Sequence, residues 1–132
     1  MTKEEIINDT ISYYNEDTSR RALDHGSSCV YRARDGRNCA FGRYMKEGFL
    51  DYPICNDIAT IEELLEEFEL ESVDDLLVEK VHGHNKDFWI SLQGLHDKGA
   101  NWIDGSYTKH LINSVEDIVN YYNLNKEQIN VL

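Results

Sequence analysis

Cys29-Val30-Tyr31-Arg32-Ala33-Arg34-Asp35-Gly36-Arg37-Asn38-Cys39-Ala40-Phe41-Gly42 is the stretch on which the fold class turns. Two strand-like runs flank Asp35-Gly36, and Asp-Gly between such runs is a strong short-range signal for a β-hairpin. A two-residue type I′ turn sets Arg34 opposite Arg37, Arg32 opposite Cys39, Val30 opposite Phe41 and Cys29 opposite Gly42. In that register Cys29 and Cys39 point to opposite faces, which excludes a disulfide across the hairpin; a bulge would reopen it. Arg32, Arg34 and Arg37 then stand on one face. A guanidinium fork there could grip phosphate or a carboxylate-rich surface, or pair internally with neighbouring acids.

Working outward, the helix starts are legible. Thr2-Lys3-Glu4-Glu5 and Thr60-Ile61-Glu62-Glu63 have the form of capping boxes. Ser72-Val73-Asp74-Asp75 and Ser114-Val115-Glu116-Asp117 are weaker versions with Asp at the third helical position. Apolar periods agree with them. Ile7, Ile11 and Tyr14 line a first helix, and Ile61, Leu64, Leu65 and Phe68 a second. Val73, Leu76 and Leu77 begin a third, and Val115, Ile118, Val119 and Tyr122 a last. Phe88, Trp89, Leu92, Leu95 and His96 share one face of a helix near 87–98. The expected fold is α+β: a small antiparallel hairpin at about 28–42 packed against about five helices, in one domain spanning 1–132.

The 132 residues carry a formal charge of −12, distributed unevenly. Residues 20–46 hold seven Lys and Arg against two acids, while residues 47–79 hold twelve acids and no Lys or Arg. Such a chain is not expected to bind nucleic acid directly, because that depends on cations neutralising phosphates. No apolar run approaches the about 18 residues that span a bilayer. The N-terminal residues lack a basic start followed by an apolar stretch. Three unevenly spaced cysteines imply no disulfide framework. The expected setting is cytoplasmic, without a membrane partner.

Two stretches carry a resemblance. One is Ser19-Arg20-Arg21-Ala22 leading to Cys29-x-Tyr31, Asp35-Gly36 and Cys39-Ala40-x-Gly42-Arg43. The other runs from Phe88-Trp89 through Gln93 to His96-Asp97, then Asn101-Trp102. Together they resemble an uncharacterised family of small bacteriophage- and prophage-associated proteins, over roughly residues 13–102. The resemblance implies a mobile-element setting, in which small acidic proteins act by binding host proteins. It implies no reaction.

Candidate chemistry is sparse. Cys29, Cys39 and Cys55, with His25, could supply soft ligands, but their spacing lacks the close pairs of structural zinc sites, and small buried hydrophobes is the plainer reading. His82, His84, His96 and Asp97, with a further carboxylate such as Asp104, echo metal-dependent phosphohydrolases. Position instead makes His96 and Asp97 structural. Trp89 reads as core; Trp102 is ambiguous between core and an exposed binding platform. No phosphate-binding glycine loop, nucleophile elbow or zinc-protease motif occurs. The motif residues Cys29, Tyr31, Gly36, Cys39, Gly42, Trp89, Gln93, His96, Asp97 and Trp102 are therefore read as structural, with neither metal nor cofactor expected. The acidic residues Glu62, Glu63, Glu66, Glu67, Glu69, Asp74 and Asp75 are the candidate binding surface, and Arg32, Arg34 and Arg37 a second. The functional expectation is a non-enzymatic, protein-binding accessory factor of a phage or mobile element. It would meet a host or phage protein with a basic surface and inhibit a nucleic-acid-binding or defence protein. The alternative is a small metal- or nucleotide-dependent hydrolase using His96 and Asp97.

Overall fold

The computed structural model describes residues 1–24, 28–103 and 105–132. Helix α1, Lys3–Glu16, starts where the sequence says it should. Thr2 Oγ1 accepts the Glu5 N–H at 3.1 Å, and the Glu5 carboxylate returns to the Thr2 N–H to complete the capping box. Its Ile6, Ile7, Ile11 and Tyr14 are buried. Strand β1, Leu23–Asp24, pairs antiparallel with β2, Ser28–Cys29. His25 lies outside the described residues.

The hairpin expected at 28–42 is real as a reversal of the chain but differs in form. β2 pairs backward, with β1. Beyond it, a single bridge joins Arg32 and Asn38. The loop is closed by the Ala33 N–H to Arg37 O at 2.8 Å and the Gly36 N–H to Ala33 O at 2.9 Å. Three residues therefore form the loop, and only Gly36 has positive φ, at +92°. This is the glycine-bulge arrangement and not the two-residue type I′ turn. The register is shifted by one, so Cys39 faces Tyr31, whose carbonyl accepts its N–H at 3.1 Å. A one-residue shift moves side chains to the other face. Arg32 and Arg37 accordingly part company. The stretch then enters a 3-10 turn at Gly42–Tyr44. Gly42 is required there, because a Cβ would lie 2.3 Å from Tyr31 O.

After the short helix α2, Glu47–Leu50, and a 3-10 turn at Pro53–Asn56, helix α3 covers Ile61–Glu67. Its N-cap Thr60 accepts the Glu63 N–H. The helix expected from Ser72 is only a 3-10 turn, Val73–Leu76. The backbone groups that would continue it are diverted: the Lys46 N–H donates to Leu76 O, and the Val78 N–H donates to Tyr44 O. Helix α4, Lys86–Asp97, is capped by Asn85. Strands β3, Trp102–Ile103, and β4, Ser106–Tyr107, pair antiparallel with Ile103 opposite Ser106, and Gly105 has φ +80°. Helix α5, Lys109–Tyr122, begins a turn earlier than expected. Leu111 extends the apolar stripe, so Ser114 lies inside the helix with its hydroxyl donating to His110 O. Asn123 ends α5 in the left-handed conformation.

The class is α+β, with five α-helices among the described residues and two two-stranded antiparallel ladders. Helix α4 is central. Phe88, Trp89, Leu92, Leu95 and His96 are all buried, as the periodicity predicts. Trp89 packs edge-on against Phe41 and Phe88. Full burial of each such apolar side chain contributes about 1.5–3 kcal/mol, so this one face anchors the core. Among the described residues, no helix is long and apolar enough to cross a membrane.

Candidate functional site

The two motif stretches meet at the C-terminal end of α4. His96 is fully buried, and its Nε2 accepts the Ala22 N–H at 3.2 Å. Burial disfavours the imidazolium and lowers the His96 pKa. A neutral imidazole has one acceptor nitrogen, so Nδ1 carries the proton and donates to Asp97 Oδ1 at 2.9 Å. Gln93, one turn earlier, donates to the same oxygen at 2.7 Å and accepts the Phe41 N–H at 3.0 Å. Arg21 is buried and closes the helix end: Nε donates to His96 O at 2.8 Å and Nη2 to Asp97 O at 3.1 Å. A cation at a helix C-terminus meets the negative end of the dipole. Leu95 O, in the same last turn, accepts from both Asn101 and Trp102 Nε1. Tyr14 packs on His96 and Trp102 and donates to Asn38 O.

This junction bears on the hydrolase alternative. Cys29, His96 and Asp97 hold ligand atoms within 4.8 Å of one another. A cation on Nδ1 would require that nitrogen to lose its proton while Nε2 still accepts from Ala22. The ring would then be an imidazolate. Cys29 is no readier, because burial and then the neighbouring Asp97 push its thiol up to about 12. A thiol held this far above neutrality is a poor nucleophile. Cys39 is pushed up further by complete burial, and Cys55 to about 11 by burial. All three are free cysteines. His82 and His84 do not join the site; they bond Leu77 O, and Met1 O with Lys3, respectively. Asp104 lies outside the described residues. The donor set fits a clasp between chain segments better than a metal centre.

The basic hairpin is divided. Arg32 pairs with Glu47 at 3.0 Å and bonds Asn38. That ion pair lowers the Glu47 pKa. Arg37 turns the other way, bonding Asp35 and donating to Arg21 O at 2.6 Å and Leu23 O at 3.0 Å. Arg34 is exposed, and its backbone N–H bonds Asp24. The three do not form one gripping face. Two of them brace the fold, and only Arg32 reaches the acidic segment, at Glu47 and Asp51.

The acidic surface is otherwise left to solvent. Glu62, Glu63, Glu66, Glu67, Glu69 and Asp75 are exposed and Asp74 is half-buried. Glu62 pairs with Lys86 at 3.3 Å, and Asp74 accepts the Gly83 N–H. Among the described residues, no ion pair involves the other five. Glu69 follows α3 with φ +54°, the conformation that glycine adopts at least cost.

A cleft of about 370 Å³ separates the 59–62 segment from α4. Tyr31, Ala59 and Ile61 form one wall, Ile90 and Gly94 the other; Glu62, Gln93 and Asp97 supply polar groups. Gln93 and Asp97 were identified as motif residues; Ile90 and Gly94 carried no signal, because an exposed Ile and a helical Gly have no distinguishing pattern. Arg21 stands in the quoted Ser19–Ala22 motif but received no role, since nothing local marks a buried arginine. No family model, curated protein or solved structure matches the chain.

Proposed function

We propose that the protein is a non-enzymatic binding module, an accessory factor of a phage or mobile element. Its acidic face, built from α3 and the turn after it, captures a protein with a basic surface. The observation that carries this reading is that Glu63, Glu66, Glu67, Glu69 and Asp75 are exposed and have no cationic partner among the described residues. An internal network with the arginine hairpin would have consumed them, yet that network stops at Glu47 and Asp51. Glu69 adds to the case: a carboxylate occupies a left-handed position where glycine would be less strained. An array of carboxylates on a short helix imitates the charge of a phosphate backbone, which suits a nucleic-acid-binding host or defence protein as the target.

The test is capture from bacterial lysate by the immobilised protein at low and at high salt, beside a Glu63→Lys, Glu66→Lys, Glu67→Lys variant. Basic proteins should be retained at low salt, released as ions screen the charges, displaced by duplex DNA, and lost on the variant. Salt-insensitive capture, or undiminished capture by the charge-reversed variant, would discard the reading.

A further inference from the structure

We propose that the cleft between residues 59–62 and α4 receives an arginine side chain of that basic partner; this rests on the binding reading above and names the contact that gives it specificity. An arginine has an apolar stem and a planar cationic head, and it buries the first while its head seeks acceptors. The cleft matches both parts. Ile61 and the half-exposed Ile90 offer apolar wall to the stem. Two carboxylates offer the head its acceptors, since the Glu62 and Asp97 side chains are 52% and 41% exposed. Asp97 pairs with no lysine or arginine among the described residues, and Gln93 and His96 hold its Oδ1 in place.

Two further observations favour a cation. Glu62 already holds one, the ammonium of Lys86 at the start of α4, at 3.3 Å, so this rim accommodates positive charge. Gly94 leaves room between the walls: a Cβ at that position would meet nothing within 4 Å. Its φ is not positive and no close approach demands glycine there. Glu62 also opens α3, so the cleft is continuous with the acidic face. The face would draw a basic partner in, and the cleft would fix its register.

The experiment is a titration of isotope-labelled full-length protein with N-acetylarginine amide and, separately, with N-acetylcitrulline amide, which has the same shape without the charge. Saturable backbone shifts are expected at Thr60, Ile61 and Gly94 with the arginine probe alone. Gly94→Leu should abolish them, and Glu62→Gln should weaken the affinity about threefold, as for a solvent-exposed ion pair. If Gly94→Leu does not fold, Gly94→Ala is expected to lower the affinity with the fold intact. Equal binding of both probes would overturn the proposal by showing an apolar slot. Shifts spread over Glu63 to Glu69 with none at Gly94 would also overturn it while leaving the acidic-face reading standing. Loss of lysate capture in the Glu63, Glu66, Glu67 variant, with the cleft titration unchanged, separates the two in the other direction.

Discussion

The junction at the end of α4 and the acidic face of α3 are built on opposite principles. At the junction, polar groups are satisfied several times over: buried His96 uses both ring nitrogens, the partly exposed Asp97 takes two donors on Oδ1, and buried Arg21 ties down two carbonyls. On the acidic face, charged groups stand in water with few partners. A buried polar group without a partner costs about 1–3 kcal/mol, so the junction has to close on itself. An exposed carboxylate costs almost nothing and is free to meet another molecule. The conspicuous His96 is therefore tied into the architecture, whereas exposed carboxylates, those of α3 and the exposed side of Asp97, carry the proposed interactions.

The largest expected effect would break the junction from its neighbour. Gly42→Ala puts a methyl group against the Tyr31 carbonyl, a clash with backbone that no rotamer relieves. A loss of about 3 kcal/mol or more is expected, near the upper range for overpacking, read by urea denaturation. A change under about 1 kcal/mol would show that the 31–42 turn yields easily.

Next in size is His96→Ala. It leaves the Ala22 N–H without its acceptor and opens a void beside Tyr14, at an expected cost of about 2–3 kcal/mol. Wild-type stability should also depend on pH with a definite sign. His96 is held neutral in the folded chain and has its ordinary pKa of about 6.5 when unfolded. Below that value the unfolded state binds the extra proton. This contribution is therefore intact above about pH 6.5 and fades as pH falls towards the lowered folded pKa. Nitrogen shifts of the ring should report an Nδ1–H tautomer at neutral pH. An Nε2–H tautomer would sink the account of the junction and return the pair to candidate chemistry.

Gly36→Ala is expected to cost about 1 kcal/mol, because φ of +92° disfavours a β-carbon. Thermal melts will read it. A neutral result would mean that the loop relaxes into another turn.

The comparison is sharpest at Glu69. Replacing it by glycine should raise stability, by about 1 kcal/mol or less, since the left-handed strain is removed. The same change should weaken salt-sensitive capture of basic proteins. Higher stability with unaltered capture would mean that this carboxylate contributes nothing to binding.

The helix pattern was legible because it is local. Thr2 and Thr60 cap as their sequences say, and the stripe Phe88, Trp89, Leu92, Leu95, His96 is the buried face of α4. The 28–42 hairpin was read in the wrong register because Asp-Gly admits more than one turn. Here a three-residue loop ends on Gly36. The register of a two-residue connection occurs instead where Ile103 pairs with Ser106, and the same dipeptide stands between them in the sequence. Ser72 caps only a 3-10 turn, its hydroxyl accepting the Asp74 N–H, because Leu76 O and the Val78 N–H pair with residues 46 and 44, a competition no local window contains.

The sequence by itself determined the helix caps and apolar stripes, the α+β class and the acidic surplus of residues 47–79, since each depends on residues within a few turns of one another. Tertiary structure alone decided the rest. It set Arg32 and Arg37 on opposite errands, buried Arg21, chose the proton position on His96, and opened a cleft between α4 and the 59–62 segment. The physical reason is range. Propensity and periodicity act along the chain, whereas a hydrogen-bond partner or an unfilled space is fixed only when segments such as Ala22 and His96, 74 positions apart, come into contact.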